Sequence, residues 1–336
     1  MTNAIGVYRG DYLESTHEVH IAVVDQTGKL LYAYGDPYRP TFPRSSMKPF
    51  QAVPILETGT AAAFDFSLSD LALSCSSHSG EPVHRSAVLD ILRRAKLKEE
   101  ALQCGTHVPR DKESYVELIR EGRELTPVYS NCSGKHAGML STAVHMKEDI
   151  DTYREAQHPV QQRILEVLSD VCSFPVSEIA FSVDGCGVPV HRIPLFRAAF
   201  GYARLASPDA IADPQRAGAL RTICQAMTRH PEMVAGKNRF DTDVMRAFQG
   251  GVVSKTGAEG VQCLGIVNSG IGIAVKTEDG TARAASVAAM EVLKQLGIGD
   301  EGIYQQLETY IHTPVTNAHK EQIGVIKADF TLDRIH

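Results

Sequence analysis

Serine and lysine recur in this chain at spacings that could generate a nucleophile. Ser45 and Lys48 stand three residues apart, which would put them on one face of a helix. A lysine kept neutral by burial or by a nearby cation can take the proton of a serine hydroxyl. The same spacing also arises by chance, so the alternative is a capping serine beside a solvated lysine.

Proline at position 49 limits where this helix can begin. Because proline has no N–H group, it fits only the first turn, and we expect the regular helix to begin near Ser45 or Ser46. Proline also biases Lys48 away from helical backbone angles. Ser45 would then lie at the mouth of the helix, where N–H groups can hold an oxyanion.

Two short motifs follow in order along the chain. Tyr129-Ser130-Asn131 precedes Lys255-Thr256-Gly257, in which an ammonium and a hydroxyl could meet a bound carboxylate. The order Ser-x-x-Lys, Tyr-x-Asn, Lys-Thr-Gly resembles the signature of the serine β-lactamase and penicillin-binding superfamily. A secretion signal and a Glu-x-x-x-Asn deacylation loop, which would complete that resemblance, are not evident.

Longer motifs narrow the resemblance, and they lie at 76–81, 131–138, 184–189, 236–243 and 254–260. Together they resemble the L-asparaginase II family of the thermolabile, Rhizobium type, from the first predicted hairpin to the last predicted helix. The resemblance implies an α/β, serine β-lactamase-like (glutaminase-like) fold, with an antiparallel sheet completed by both termini and a mainly helical middle. It also implies hydrolysis of the asparagine side-chain amide through an acyl-enzyme.

The resemblance assigns site residues by position. It implies two catalytic pairs, Ser45 with Lys48 and Ser77 with Lys255, and we favour Ser45 over Ser77 as the nucleophile. Five further positions match a substrate pocket: Arg44, His78, Glu81, His136 and Asp184. The histidines could instead cap loops, and the aspartate could stabilise an Asx turn.

The resemblance also implies one zinc ion held by Cys132, Lys135 and Cys186. Spacing alone would not select Lys135, because an ammonium has no lone pair until it loses its proton. His78 and His136 would be the ordinary candidates from residue type. Two buried packing cysteines are the alternative, and an open zinc site could be structural, regulatory or substrate-orienting.

Composition restricts the possible partners and compartment. The 336 residues carry 34 basic and 40 acidic side chains, a formal charge of -6, which argues against nucleic acid or an anionic membrane surface. No apolar run is long enough for a membrane span. Seven scattered cysteines and the lack of a visible signal peptide favour the cytoplasm. The resemblance implies a small-molecule substrate, L-asparagine, and a homodimer, which is also the commonest oligomer in general.

Hydrophobic patterning predicts the elements that must position these residues. A hairpin is predicted over 18–34, and a second one near the other end turns at Asp279-Gly280 and leads to a helix closed by Gly297. Apolar periodicity predicts helices at 84–97, 113–122, 158–171 and 214–231. Turn-rich loops are predicted at 74–82, 129–138 and 182–191.

No linker interrupts this pattern, so we expect a single compact domain over 1–336. Its sheet-forming parts would be about 1–45 and 240–300, and its helical middle about 46–239. The leading functional hypothesis is an L-asparagine amidohydrolase. Alternatives are a glutaminase or a penicillin-binding-type serine acylhydrolase on the same fold, or a zinc-stabilised binding protein without catalysis. One methylene separates asparagine from glutamine, so the sequence does not choose between those two substrates.

Overall fold

A computed structural model describes residues 4–267 and 269–335 of the chain. Contacts between residues divide the chain into two compact units. The sheet unit comprises Met1–Ser46, Ile193–Ser207 and Asp243–His336, and the helical unit comprises Met47–Arg192 and Pro208–Thr242. The interpretation of residues 1–336 as one domain stays a prediction.

The described residues contain the following elements in chain order. The strands are β1 Ile5–Arg9, β2 Tyr12–His17, β3 Val19–Val24, β4 Leu30–Tyr34, β5 Pro40–Thr41, β6 Ala180–Val183, β7 Pro189–Pro194, β8 Val252–Gly257, β9 Val261–Ile266, β10 Ile271–Thr277, β11 Thr313–Thr316, β12 Gln322–Ala328 and β13 Asp333–Arg334. The helices are α1 Lys48–Gln51, α2 Val53–Glu57, α3 Thr60–Ala63, α4 Leu68–Ser74, α5 Pro82–Arg94, α6 Lys112–Arg120, α7 Ser133–Met146, α8 Pro159–Val171, α9 Leu195–Ala206, α10 Pro214–Arg229, α11 Pro231–Val234, α12 Phe240–Ala247, α13 Ala282–Gln295, α14 Glu301–Gln306 and α15 Glu308–Ile311. Short 3₁₀ turns occupy Arg44–Met47, Glu99–Ala101, Pro127–Tyr129, Val176–Glu178 and Pro208–Ala210.

The sheet unit is built on a six-stranded antiparallel sheet with the order β13-β4-β3-β10-β9-β8. Strands β3 and β9 are buried along their whole lengths, which explains why most of their residues are apolar. Helix α9 packs against β3, β9 and β10, and helix α13 packs against β9, β10 and β12. A second sheet has the order β11-β12-β1-β2, so strands from both ends of the chain complete both sheets. The predicted α/β class with an antiparallel sheet completed by both termini is confirmed.

The first predicted hairpin is confirmed, but the turn of the second is wrong. Strands β3 and β4 pair as expected within 18–34. At the other end, β9 pairs with β10, so the hairpin closes before Ile271. The Asp279-Gly280 turn instead joins β10 to α13, because Gly280 has a positive φ of 79° and Thr281 is the N-cap residue of that helix. Gly297 follows α13 with a φ of 66°, as predicted for a helix end.

The four helices predicted from apolar periodicity are present as α5, α6, α8 and α10. The loop predicted at 129–138 is wrong in its second half, because α7 begins at Ser133 and is buried through Ala143. Serine and glycine suggested a turn there, but these small residues serve a closely packed helix. Strands β11, β12 and β13 also lie beyond the predicted sheet-forming segments, and β6 and β7 interrupt the predicted helical middle.

The helix after Arg44 also departs from expectation. Residues Arg44–Met47 form a 3₁₀ turn, and regular α-helix begins only at Lys48. Lys48 adopts helical angles although Pro49 follows it, because Pro49 lies in the first turn, where no intrahelical N–H bond is lost. Among the described residues, no helix combines the length and apolar character needed to cross a bilayer.

Helix α5 offers a matched test of the helical unit's core. Leu92 is 1% exposed and Leu89 is 42% exposed, although they lie one turn apart. We expect Leu92→Ala to lower the free energy of unfolding by about 2–5 kcal/mol, because it leaves a cavity. Leu89→Ala should change it by less than about 0.5 kcal/mol. Urea unfolding of both variants tests this, and equal losses would contradict the assigned core face.

Candidate active site

A buried lysine amine lies at the centre of the polar groups in the helical unit. Lys48 is 1% exposed, and its Nζ donates hydrogen bonds to the Ser76 carbonyl oxygen and, at 3.1 Å, to Ser77 Oγ. The same amine lies 3.3 Å from Cys132 Sγ and 3.5 Å from the Asn131 carbonyl oxygen. One candidate base therefore touches one candidate nucleophile and one candidate metal ligand.

The loop that carries Ser77 is held by backbone hydrogen bonds from the segment that follows α10. Ser77 N–H donates to the Val234 carbonyl oxygen at 2.9 Å, and Ser79 Oγ donates to the Ala235 carbonyl oxygen at 2.8 Å. Lys237 N–H in turn donates to Glu81 Oε1 at 2.8 Å. These bonds fix the position of Ser77 without using its hydroxyl, so the hydroxyl is left for Lys48.

Two cysteines and two lysines form a buried cluster beside this serine. Cys132 and Cys186 are 5% and 3% exposed, and Lys135 Nζ lies 3.1 Å from Cys186 Sγ. A hydrogen bond from the Cys186 thiol, assisted by the charges of Lys48 and Lys135, holds the pKa of Cys132 well below its usual range despite burial. The same pairing, together with burial, raises the pKa of Cys186, so Cys132 is the more acidic of the two and the one that ionises to a thiolate.

The charge of Lys135 follows from these neighbours. Burial alone would lower the pKa of this amine, but Cys186, Cys132 and Asp184 together raise it above its ordinary value. Lys135 is therefore an ammonium that compensates the thiolate. A metal ion that bound at this position would have to displace that proton.

His136 connects the cluster to a buried tyrosine. Its Nδ1 lies 2.6 Å from the hydroxyl of Tyr153, and both residues are 0% exposed. Burial lowers the pKa of His136 to about 4, so the ring is neutral at pH 7. Its Nε2 is buried and has no regular hydrogen-bond partner among the described residues, although the Cys186 side chain acts on the ring. His136 is therefore buried beside the cluster, and its role in a substrate pocket stays a prediction.

His78 and Glu81 are engaged in hydrogen bonds within the protein. Gly80 N–H donates to His78 Nδ1 at 3.1 Å, so the opposite nitrogen carries the proton and donates to Ser133 Oγ at 2.9 Å. Burial, together with the charges of His84 and Lys48, lowers the pKa of His78 well below its usual value. His78 thus bonds the loop and α7 in this arrangement, and its predicted substrate contact stays a prediction.

Asp184 lies at the edge of the cluster and is half-buried. Its Oδ1 accepts from Gly185 N–H at 2.9 Å, and its Oδ2 lies 3.8 Å from Cys186 Sγ. The Asp184 backbone also accepts from Gly187 N–H, which closes a tight turn. The turn places Cys186 opposite Lys135, while the carboxylate faces both the thiol and the solvent.

The sheet unit holds the other predicted catalytic residues. Ser46, next to Ser45, donates from Oγ to the Lys255 carbonyl oxygen at 2.9 Å, and its own carbonyl accepts from Tyr202 at 2.6 Å. Lys255 is 0% exposed and donates from Nζ to the Thr256 carbonyl oxygen. A Cβ at Gly257 would lie 2.2 Å from the Pro43 carbonyl oxygen, so only glycine lets the Ser45 segment run along β8.

Backbone strain precedes Ser45. Arg44 has a φ of 55°, a left-handed conformation that non-glycine residues rarely adopt. Such positions cluster at functional sites, where the surrounding structure maintains them. Ser45 is itself half-exposed, unlike the buried Ser77. The pairings of Ser45 with Lys48 and of Ser77 with Lys255 stay predictions.

The implied zinc ligands were tested against this arrangement. Among the described residues, no group of three or more His, Cys, Asp or Glu side chains could hold a metal ion. The zinc ligands that the resemblance implies are a different kind of set, because the third donor is a lysine. The Lys135 amine lies within hydrogen-bond distance of Cys186 Sγ. Two cysteine sulfurs and a nitrogen donor, here the Lys135 amine once it has lost its proton, suit zinc. The residues present therefore fit the ion.

Sequence reasoning missed Tyr153, which touches His136, and His191, whose pKa burial and the charge of Lys135 lower to about 4. Neither residue belongs to a motif, and Tyr153 follows His136 by seventeen residues in a loop. The contact between Lys48 and Cys132 was also missed, since it joins α1 to the residue before α7. Only the tertiary fold brings these groups together.

The sequence pattern of the L-asparaginase II family matches residues 5–328. The chain belongs to the L-asparaginase II family. Membership makes it a hydrolase of the asparaginase type. No match was found among curated proteins.

Solved structures with a similar chain path are distant. A β-lactamase from Mycobacterium bovis is 16% identical, with a TM-score of 0.43 over 82% of this chain and 94% of its own. A D-alanine carboxypeptidase from Burkholderia cenocepacia is 15% identical, with a TM-score of 0.38 over 87% of this chain and 93% of its own. Such TM-scores are too low to carry an argument about this chain.

Close packing at the start of α7 is open to a direct test. A Cβ at Gly134 would lie 2.4 Å from the Leu73 carbonyl oxygen of α4, whereas one at Gly218 in α10 would meet nothing within 4 Å. We expect Gly134→Ala to destabilise the protein by about 1–3 kcal/mol through overpacking. Gly218→Ala should stabilise it by up to about 1 kcal/mol. Chemical unfolding measures both, and a stabilising Gly134→Ala would contradict the helix contact.

Proposed function

We propose that the protein hydrolyses the side-chain amide of L-asparagine to L-aspartate and ammonia through a serine nucleophile. The hydrogen bond between the buried Lys48 amine and Ser77 Oγ, at 3.1 Å, is the observation that carries the proposal beyond the family match. A lysine amine in contact with a serine hydroxyl is the arrangement that Ser–Lys hydrolases use in place of histidine.

The proposed reaction has two halves. In the first, a neutral lysine amine takes the serine proton, Oγ attacks the amide carbon, and the proton passes to the leaving nitrogen as ammonia departs. In the second, water attacks the β-aspartyl ester and gives up its proton to the lysine, which returns it to Oγ. Lys48 serves as the base in this scheme, and Lys255 is proposed as the second lysine.

We assign the nucleophile to Ser45 rather than to Ser77. Ser45 is half-exposed, follows the strained backbone of Arg44, and is flanked by Ser46, which is anchored by two hydrogen bonds. Ser77 is 8% exposed and would act as a proton carrier beside Lys48. The contact of Lys48 with Ser77 favours the reverse assignment, so both serines must be tested.

Substitution of the proposed nucleophile and base tests their roles in catalysis. Ser45→Ala and Lys48→Met should each lower ammonia release from L-asparagine by at least about a thousandfold, because they remove groups that act in the transition state. Ser141→Ala is the control, since this buried hydroxyl only bonds its own helix through the Ala137 carbonyl oxygen. Thermal unfolding should show that all variants are folded.

An electrophilic asparagine analogue, followed by peptide mapping, identifies the serine that becomes acylated. Label on Ser45 supports the assignment, and label on Ser77 transfers the nucleophile to that residue. A folded Ser45→Ala protein with near-normal turnover would contradict the assignment of Ser45 as the nucleophile. Parallel assays with L-glutamine and a chromogenic β-lactam distinguish the glutaminase and acylhydrolase alternatives, and no ammonia from any amide would favour a binding protein.

Zinc is proposed at Cys132, Lys135 and Cys186. A zinc ion there would supply Lewis acidity and a fixed positive charge, with a position open to water or substrate. The chain's own part is to present the two sulfurs in a buried, charge-compensated cluster. Arg44, His78, Glu81, His136 and Asp184 stay predicted substrate-pocket residues, and a cytoplasmic homodimer is proposed as the working form.

Elemental analysis tests the metal. We expect about one zinc ion per chain in protein purified without chelator, because two thiolate donors suit zinc. Cys132→Ala should lose that ion, while Cys224→Ala should retain it, since Cys224 is a buried thiol in α10 whose pKa burial raises to about 12. Metal-free native protein at neutral pH would count against the site.

A further inference from the structure

Strand β9 of the sheet unit buries an amide side chain among mostly apolar neighbours. Gln262 is 1% exposed, and all six residues of the strand are buried. Burying an amide costs free energy unless its polar atoms are hydrogen-bonded. The partners of Gln262 therefore show which groups the amide holds in place.

The orientation of the Gln262 amide follows from these partners. Its Nε2 donates to Ser254 Oγ at 2.9 Å and to the Cys263 carbonyl oxygen at 3.3 Å. A carbonyl oxygen can only accept, so the amide nitrogen rather than the amide oxygen must lie on this side. Oε1 consequently points toward Thr256.

The hydroxyl of Thr256 is a donor to that oxygen. Thr256 lies directly opposite Gln262 in the pairing of β8 with β9, and its Oγ1 is 2.7 Å from Gln262 Oε1. Because Oε1 carries no proton, the hydroxyl proton of Thr256 is used in this bond. A hydroxyl has one proton and two lone pairs, so Thr256 can offer a bound ligand only a lone pair.

Thr256 lies beside the segment that carries the proposed nucleophile, Ser45. On one side of Thr256, the Lys255 carbonyl oxygen accepts from Ser46 Oγ at 2.9 Å. On the other side, a Cβ at Gly257 would also lie 2.9 Å from Ser46 Oγ. Strand β8 is at the edge of its sheet, and Thr256 is only half-buried. A substrate that reaches Ser45 would therefore pass close to the Thr256 oxygen.

The Lys-Thr-Gly motif predicts that this hydroxyl donates to a bound carboxylate, whereas the bond to Gln262 favours the opposite polarity. We propose that Thr256 Oγ1 accepts an N–H group of the substrate, and that Gln262 is the positioning residue that imposes this polarity. L-asparagine has two such groups, the α-ammonium and the side-chain amide. We favour the α-ammonium, because its charge strengthens the hydrogen bond. This inference rests on the proposed function for the identity of the substrate.

Three compounds separate the two N–H groups. L-asparagine has both, succinamate lacks the α-ammonium, and L-aspartate β-methyl ester lacks the amide. Thr256→Val should lower kcat/KM for L-asparagine and for the ester by about 10–100-fold, the usual loss for a hydrogen bond to a charged group. Turnover of succinamate should be nearly unaffected. Thr256→Ser keeps the hydroxyl and should resemble the unaltered protein with all three compounds.

The pattern of losses decides the assignment. Loss for L-asparagine and succinamate, but not for the ester, would keep Thr256 as an acceptor and transfer its partner to the amide. All three compounds keep a carboxylate at the same position. Equal losses for all three in Thr256→Val would therefore overturn the inference, as would no loss for any of them.

A double-mutant cycle tests the role of Gln262. Gln262→Met keeps an unbranched side chain of similar length and removes the acceptor of the Thr256 proton, so the hydroxyl can turn. We expect kcat/KM to fall for L-asparagine but not for succinamate. The double variant should lose no more than Thr256→Val alone, because both residues act on one contact. Additive losses would overturn the positioning role.

Thr222→Val is the matched control. Thr222 is also half-buried, but its hydroxyl bonds the Gly218 carbonyl oxygen within its own helix, α10. This variant should leave kcat/KM unchanged for all three compounds, and a loss equal to that of Thr256→Val would overturn the inference. Thermal unfolding should show that every variant is folded.

Calorimetric binding of the same three compounds separates this inference from the proposed reaction. If no compound is hydrolysed, but Thr256→Val weakens binding of L-asparagine and not of succinamate, the reaction is wrong and the inference holds. If L-asparagine is hydrolysed and Thr256→Val affects all three compounds equally, the reaction holds and the inference is wrong. An unaltered protein that neither binds nor hydrolyses any of them would overturn both.

Discussion

The arrangement of the helical unit depends on charge compensation in a buried cluster. Two lysine amines, on Lys48 and Lys135, face the Cys132–Cys186 pair with almost no exposure to water. Burying either an ammonium or a thiolate alone would cost several kcal/mol, so each depends on the other. Removing one member leaves an uncompensated charge. The cluster is therefore one unit in energetic terms, although its members come from separate segments.

Close backbone packing makes that compensation possible. Lys48 begins α1, Cys132 precedes α7, and Cys186 lies on a tight turn before β7. The first turn of α7 must approach α4 closely, and Gly134 permits the contact. Charges that must meet within about 3 Å cannot tolerate an extra methyl group between the helices that carry them. The small residues at the start of α7 therefore let the helices pack closely enough for the charged side chains to meet.

The sequence predicted more of the elements than of their contacts. Apolar residues repeating every 3.6 positions predicted α5, α8 and α10. This repeat is visible in the sequence because a helix that buries one face has apolar residues along that face. The Asp279-Gly280 turn was misassigned because the same dipeptide suits a hairpin and a strand-to-helix connection. Resemblance supplied Cys132 and Cys186, but no local pattern could show that Lys48 touches Cys132. The contact of Tyr153 with His136 could not be predicted for the same reason, because only the tertiary fold brings the two residues together.

The charges of the cluster also indicate why a lysine would be acceptable as the third donor of the proposed zinc site. An ammonium at Lys135 neutralises the thiolate while no cation is bound, so the fold does not need metal to keep its charges balanced. A third cysteine or an aspartate there would add negative charge and destabilise the metal-free chain. The proposed zinc ion would have to displace a proton whose presence on Lys135 the neighbouring sulfurs favour, and this would weaken its apparent affinity.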